Sequence, residues 1–196
     1  MFPPSKTKQY EVGGKLTLGG MGLSLAAYQT DQPSAFAVNG VYGLYGVQRN
    51  RGVEFSVSGE VMPGLRVIGG GSLNEAKLRS TGVATLDGNT APGVPRYPVN
   101  ANVEWDVLPA LTLTGRFVQT GRQRVDRANT LKIPSWTRFD LGARYVALVG
   151  DLPLTLRAGV DNVADKRYWA SSFDIFEPQL LQGAPRTFKA SVSIDM

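Results

Sequence analysis

The chain has 196 residues, a formal net charge of +5, and neither cysteine nor histidine. Their absence excludes disulfide bonds, thiol catalysis and the usual nitrogen or sulfur ligands of zinc. The Lys and Arg residues are scattered rather than clustered, so the positive charge does not indicate a nucleic-acid-binding protein.

The chain contains no run of apolar residues that approaches the ~18 needed for a transmembrane helix, which excludes a helical membrane protein. Its first residues, MFPPSKTKQYEVG, lack the apolar run and the small-residue cleavage site of a secretory signal. We therefore expect no signal peptide in this sequence.

Apolar and polar residues alternate along most of the chain, and this period of two predicts β-strands. The alternating stretches, in chain order, are 10–18, 23–27, 53–60, 65–69, 99–106, 111–117, 139–145, 154–161 and 186–196. We predict an all-β protein of about nine strands without helices.

The connections between these stretches alternate between short and long. Short turns are predicted at 19–20, 62–64, 108–110 and 150–153, and long links at 37–43, 80–95, 125–134 and 170–185. Such an asymmetry is typical of antiparallel up-and-down transmembrane β-barrels, which have tight periplasmic turns and large extracellular loops. The apolar rows would then face lipid and the polar rows a wet lumen.

A soluble β-sandwich or a lipocalin-like barrel is the alternative interpretation, because its core needs the same apolar rows. The polar rows are rich in Arg, Glu, Asp, Asn and Thr, which suits a wet lumen better than one exposed sheet face. We therefore favour the membrane barrel.

The sequence contains no convincing catalytic or metal-binding motif. The glycine-rich stretch GGGSLNEAK at 69–77 fits neither a phosphate-binding loop nor a dinucleotide fingerprint, and no helical pattern follows it. Carboxylate pairs such as Asp161 with Asp165 are interpreted as lumen or loop charges, and no loop is acidic enough to indicate a calcium site. We predict no enzyme, no catalytic residue, no bound metal and no covalent cofactor.

Several ordered motifs resemble one protein family. They are KQYEVGGKL at 8–16, QRNRGVEFSVSGEVMPGLRVIGGGSLNEA at 48–76, GVPRYPVNANVEWDV at 93–107, VDNVADKRYWASS at 160–172 and GAPRTFKASVSIDM at 183–196. Together they resemble the carboxy-terminal part of TonB-dependent siderophore receptors, the ferrichrome and hydroxamate branch in particular. The resemblance implies a plugged barrel in the bacterial outer membrane that imports ferric siderophores with energy from the TonB complex. Outer-membrane lipid and the barrel assembly machinery would be its further partners.

The resemblance covers essentially the whole chain but only part of the family's architecture. Residues 1–196 are interpreted as the carboxy-terminal portion of a barrel of roughly 22 strands. The plug domain, the TonB box, the signal peptide and the first half of the barrel have no counterpart here. The sequence ends on Met196, where such barrels typically end on an aromatic residue that the assembly machinery recognises. Alone, the chain is expected to form an open curved sheet and to be inactive.

A small self-standing β-barrel with a binding or structural role is the alternative function. The predicted odd number of strands counts against it, because bacterial single-chain barrels have an even number.

Aromatic residues in the long links are the candidates for contact with a ligand. The four candidate positions are Tyr42, Tyr45, Trp169 and Phe173. Packing of these rings against one another, or in the aromatic girdle at the membrane surface, is the open alternative for each of them.

Overall fold

The structure, a computed structural model, describes residues 4–194 and has thirteen strands within that range. The strands are β1 (Lys8–Leu18), β2 (Met21–Val38), β3 (Val41–Met62), β4 (Leu65–Arg79), β5 (Val99–Leu108), β6 (Leu111–Thr120), β7 (Gln123–Arg124), β8 (Lys132–Ile133), β9 (Trp136–Val149), β10 (Leu152–Asp161), β11 (Trp169–Asp174), β12 (Pro178–Gln182) and β13 (Thr187–Ile194). Within this part of the chain, no helix is long and apolar enough to cross a membrane.

Nine of the strands form one antiparallel sheet in the order β1-β2-β3-β4-β5-β6-β9-β10-β13. The predicted all-β class and the predicted nine strands are therefore confirmed. The other four strands form two separate hairpins, β7-β8 and β11-β12, within the long links after β6 and β10. Their two to six residues are too short to show a clear alternation in the sequence.

The strand register collects the apolar rows on one side of the sheet, called here the outer face. Leu25 pairs with Phe55, and Leu156 pairs with Val192. Similar pairs join Trp105 to Leu113, Gly115 to Leu141, and Val160 to Phe188. Many of these side chains are exposed: Leu25 and Leu141 are each 58% exposed, and Val12 and Phe188 on the two edge strands are each 75% exposed. An apolar face of this extent is unfavourable in water and is what a lipid-facing barrel wall requires.

Four two-residue turns lie at one end of the sheet. They connect β1 to β2, β3 to β4, β5 to β6, and β9 to β10, as the sequence predicts. The three longest links lie at the opposite end, after β4, β6 and β10.

The predicted long link at 37–43 is wrong. Strand β2 continues to Val38, β3 starts at Val41, and these two residues pair with each other. Asn39 and Gly40 form the turn between them with φ of 50° and 76°, as a type I′ hairpin requires. Asn-Gly is the preferred sequence for such a turn because both residues tolerate positive φ. The β2-β3 hairpin is therefore a continuous two-stranded ribbon that extends to the end of the sheet where the long links lie, called here the loop end.

Tight burial is concentrated at the loop end and is nearly absent from the middle of the sheet. The buried hydrophobic residues are Phe36, Ala76, Leu78, Ala91, Val125 and Ile133, and all of them lie near or within the long links. The end of the β2-β3 hairpin around Asn39-Gly40 packs together with the long links at 80–98, 121–135 and 162–186. We call this assembly the loop cap.

The sheet is open, because within residues 4–194 the strands β1 and β13 each pair with a single neighbour. This confirms the predicted open sheet and gives no support to a small closed barrel. A strand edge exposes unpaired N–H and C=O groups, and in lipid each such group costs several kcal/mol.

We expect the 196-residue chain, expressed alone with an export signal, to associate through these edges instead of forming a monomer. Heat-modifiable gel migration and protease resistance of outer-membrane fractions measure the result. A compact, protease-resistant monomer would contradict the expectation and favour a self-standing barrel.

Candidate ligand-binding surface

The side chains opposite the outer face form a polar surface, called here the inner face. Across β5, β6, β9, β10 and β13, this surface borders a groove of about 610 Å³. Its inner-face charged residues are Glu104, Arg116, Asp140, Arg144, Arg157, Asp161 and Lys189. A row of hydrated charges is what the wall of a wet lumen carries.

Near the short turns, the inner-face charges bind one another. Arg66 donates to both carboxylate oxygens of Asp106 at 2.8 and 3.1 Å, and Thr112 donates to Asp106 at 2.7 Å. Arg144 in turn donates to the Thr112 hydroxyl at 3.1 Å. This network joins β4, β5, β6 and β9, and its satisfied polar groups indicate a role in holding the wall together.

A second groove of about 850 Å³ lies higher on the inner face, beneath the loop cap. Tyr28 and Asn74 belong to its floor, and the Tyr28 hydroxyl donates to Asn74 Oδ1 at 2.6 Å. Arg96 lies beside Asn74, because the Asn74 N–H donates to the Arg96 carbonyl oxygen at 2.7 Å. We call this space the upper groove.

Three further cations line the upper groove from the link after β6. Gly121 N–H donates to the Tyr97 carbonyl oxygen, which places the following Arg122 alongside Arg96. Arg124 pairs with Lys132 in the β7-β8 hairpin, so their side chains project from the same face of that hairpin. The groove is therefore strongly basic.

The loop cap is held by a buried ion pair between sequence-distant links. Arg127 donates to Asp174 at 2.9 Å, and the two side chains are only 15% and 11% exposed. The Arg127 guanidinium also lies 4.5 Å from the ring centre of Phe36 on the β2-β3 ribbon. Burial lowers the pKa of Arg127, and the carboxylate of Asp174 opposes this shift. One side chain thus connects three separate segments.

Asp126 organises the turn that presents Arg127. Its carboxylate accepts hydrogen bonds from the N–H of Leu131 at 2.7 Å and from both the N–H and the hydroxyl of Thr130 at 3.1 and 2.9 Å. Burial works to raise the pKa of Asp126, but the Leu131 and Thr130 hydrogen bonds outweigh it, and the pKa lies below its usual value. Asp126 therefore has a structural role.

A backbone contact between Gly93 and Ser172 holds the links after β4 and β10 together. Gly93 has φ of 72°, and a Cβ at this position would collide with the carbonyl oxygen of Ser172. The Ser172 hydroxyl donates to the carbonyl oxygen of Arg124, and the Gly93 N–H donates to the same oxygen. Only glycine fits both the backbone conformation and the space.

The four aromatic residues predicted from the sequence all lie in the loop cap, in two groups. Tyr42 and Tyr45 are on the β2-β3 ribbon, and Trp169 and Phe173 are on β11. Tyr42 contacts Phe176 with a ring-centre distance of 5.7 Å, which connects the ribbon to the link after β10. Tyr42, Trp169 and Phe173 are exposed, whereas Tyr45 is half-buried.

Tyr45 packs within the loop cap. Its ring centre lies 5.2 Å from that of buried Phe36, and its hydroxyl donates to the Val41 carbonyl oxygen at 3.3 Å. These contacts indicate a packing role for Tyr45.

Two features of this surface escaped the sequence prediction. The first is the basic lining of the upper groove, whose cations are scattered over 37 positions between Arg96 and Lys132. The second is the stacking of Trp136 on Tyr168, with ring centres 4.3 Å apart. No local sequence pattern predicts either feature, because each depends on contacts between links that are distant in the sequence.

Metal-binding chemistry has no visible basis in the described part of the chain. Between residues 4 and 194, no group of three or more His, Cys, Asp or Glu side chains could hold a metal ion.

Comparison with known proteins shows that the chain is similar to a family of receptors. Residues 1–163 match the family model described as TonB dependent receptor-like, beta-barrel. The ferrichrome receptor FcuA of Yersinia enterocolitica is 40% identical over 193 residues, which cover 96% of this chain and 25% of that receptor. The ferrichrome outer membrane transporter/phage receptor of Escherichia coli K12 is 30% identical over 187 residues, which cover 90% of this chain and 25% of that protein.

Comparison with a solved structure shows that the chain also has the fold of a receptor of this kind. BauA, the ferric preacinetobactin receptor of Acinetobacter baumannii, matches with a TM-score of 0.86 at 37% identity, over 100% of this chain and 30% of that one. The chain spans about a quarter of the length of the curated relatives named above.

Proposed function

The chain belongs to the TonB-dependent receptor β-barrel family, and we propose that it forms part of the wall of a bacterial outer-membrane receptor that imports ferric siderophores. The complete receptor would take up the iron chelate without covalent chemistry, using energy from the TonB complex. Outer-membrane lipid would contact the outer face, and the barrel assembly machinery would insert the strands.

The observation that carries this proposal is the division of the sheet into two faces beneath one loop cap. Toward the short turns at 19–20, 63–64, 109–110 and 150–151, neighbouring strands keep apolar side chains on the outer face and predominantly polar ones on the inner face. Toward the long links, the outer-face rows of β2, β3 and β4 become charged, as the ion pair of Arg51 with Glu75 shows. A soluble protein would cover the apolar face, whereas a barrel in lipid exposes it. Relatives of this chain that carry the names of ferrichrome receptors support the same interpretation.

Uptake by living cells tests the function. The complete receptor that carries this chain would be expressed in a strain without other siderophore receptors, and entry of radioactive iron would be measured for ferric hydroxamate and ferric catecholate chelates. We expect saturable uptake of at least one chelate that ends when the TonB complex is removed. Absence of uptake for every chelate, with the receptor folded in the outer membrane, would refute the proposal.

Alanine substitutions of the exposed cap aromatics test where the chelate first contacts the receptor. We expect Tyr42→Ala, Trp169→Ala and Phe173→Ala each to weaken chelate binding by about three- to ten-fold, the loss of one aromatic contact. Phe139→Ala is the matched control, because Phe139 is an equally exposed aromatic on the outer face, where it pairs with Phe117. Fluorescence titration measures the affinity, and unchanged binding in all three cap variants would contradict the assignment.

A further inference from the structure

The tip of the β2-β3 hairpin contains the only Asn-Gly pair in the sequence, Asn39-Gly40. Both residues are exposed, and both have the positive φ that the type I′ turn requires. A Cβ built on Gly40 would have no heavy atom of residues 4–194 within 4 Å, apart from those of its chain neighbours. The side-chain amide of Asn39 and the backbone nitrogen of Gly40 are therefore adjacent in the chain and accessible to water.

Two other asparagines in the described part of the chain have the same left-handed backbone conformation, but their side chains are held. Asn129, with φ of 62°, accepts from the Thr90 N–H at 2.9 Å and donates to the Thr90 carbonyl oxygen at 2.8 Å. Asn162, with φ of 52°, donates to the Lys166 carbonyl oxygen and accepts from the Lys166 N–H, both at 2.9 Å. Within residues 4–194, no hydrogen bond holds the side chain of Asn39, so its amide is free to rotate.

The residue that follows each asparagine separates Asn39 further from the other two. Asn129 and Asn162 are followed by threonine and valine, which are branched at Cβ and crowd the backbone nitrogen. Gly40 has no side chain, so its nitrogen can approach the side-chain carbonyl carbon of Asn39, Cγ. This approach requires a rotation of the backbone at the tip. The conformational freedom of glycine and the open space around it keep the cost of that rotation low.

We infer that Asn39-Gly40 is a site of spontaneous modification, at which the side-chain amide of Asn39 is converted into a carboxylate. The Gly40 nitrogen loses its proton to water and bonds to Asn39 Cγ, while the bond from Cγ to Nδ2 breaks and that nitrogen leaves as ammonia. Water then opens the cyclic imide at either of the two C–N bonds of its ring. One opening gives aspartate, and the other gives isoaspartate, in which the backbone runs through Cβ and Cγ. Asparagine is a thermolabile residue because of such reactions.

The two products affect the hairpin differently. Aspartate adds a negative charge, and Asp-Gly also suits a type I′ turn, so the tip keeps its shape. Isoaspartate adds a methylene group to the backbone, which a two-residue turn cannot include without losing the pairing of Val38 with Val41. The neighbouring hydrogen bond from the Ala37 N–H to the Ile175 carbonyl oxygen, at 3.2 Å, is weakened by this change. The modification thus loosens the contact between the hairpin and the link after β10.

Ageing of the purified, complete receptor tests the inference, whether or not the receptor imports a chelate. Samples are kept in detergent at neutral and at mildly alkaline pH, digested in acid and analysed by mass spectrometry, and a methyltransferase specific for isoaspartate labels that product. We expect conversion at Asn39, faster at alkaline pH because the attacking nitrogen has to lose its proton. Asn129 and Asn162 should keep their amides in the same digest.

The denatured receptor is the positive control for the chemistry, because no turn restrains Asn39 there. If Asn39 is converted in the denatured receptor but keeps its amide in the folded one, the turn protects it and the inference is wrong. Conversion of Asn129 or Asn162 at the same rate as Asn39 in the folded receptor would also contradict it, since the proposed selectivity depends on the fold.

Asn39→Gly is the matched variant, because Gly-Gly also forms type I′ turns and has no side-chain amide. We expect the Ala37 amide to lose protection from hydrogen exchange as the unsubstituted receptor ages, and to keep it in the aged variant, each compared with a fresh sample of the same protein. Equal loss of protection in both proteins would assign the loosening to another change. Unchanged protection after isoaspartate has formed would show that the turn accommodates it, and either result would refute the proposed loosening of the hairpin contact.

Discussion

Replacing Leu113 by arginine should lower the free energy of unfolding of the assembled barrel by about 2–4 kcal/mol, if this residue faces lipid near the middle of the bilayer. The apolar row of β6 runs from Leu111 to Phe117, and Leu113 lies within it, exposed on the outer face. An arginine there would place its charge in hydrocarbon, where water cannot solvate it.

Thr114→Arg is the control for this prediction, because it places the same side chain on the inner face of the same strand. Arg116 already occupies that row two residues further on, and the facing Gly142 has no side chain to displace. We expect little loss of stability. Denaturant unfolding from lipid vesicles and heat-modifiable gel migration measure both variants. Equal costs for the two would mean that the outer face does not contact lipid.

Removing the positive charge of Arg127 should destabilise the loop cap by about 3–5 kcal/mol, because it would leave the Asp174 carboxylate buried without its partner. Arg127→Met keeps most of the aliphatic volume beside Phe36 and removes only the guanidinium. The cap would open while the strands below stay paired. Hydrogen exchange at the Ala37 amide, which donates to the Ile175 carbonyl oxygen at 3.2 Å, measures this opening.

A second variant isolates the charge. Arg127→Met combined with Asp174→Asn removes both charges and keeps an acceptor for the Arg127 backbone N–H, so it should recover part of the loss. Arg51→Met is the matched surface control: the Arg51 and Glu75 side chains are 56% and 45% exposed, and such pairs contribute about 0–1 kcal/mol. If the single and double cap variants are equally destabilised, the loss of packing around Arg127, and not the unpaired carboxylate of Asp174, opens the cap.

The amino-acid sequence by itself determined the all-β class, the nine strands of the main sheet and the side of each strand on which a residue lies. Alternation is a local property, so Leu154, Leu156 and Ala158 are on one side of their strand whatever it pairs with. The short turns at one end could also be predicted, and the ordered motifs identified the receptor family, which the comparisons confirm. The tip at Asn39-Gly40 was predictable in principle from its type I′ turn sequence, although the aromatic residues around it suggested a long link.

Only the tertiary structure decided how the links pack and which charges remain unpaired. Arg127 and Asp174 are 47 residues apart, and no periodicity relates them. Arg96, Arg122 and Lys132 come together because strand register and the β7-β8 hairpin bring separate links to one groove. The candidate aromatics could be placed in the loop region from their positions, but the packing of Tyr45 against Phe36 and the exposure of Trp169 depend on contacts between distant links. Local alternation reports which face a side chain occupies, whereas its neighbours across the cap are set by non-local contacts that the sequence does not encode in any short pattern.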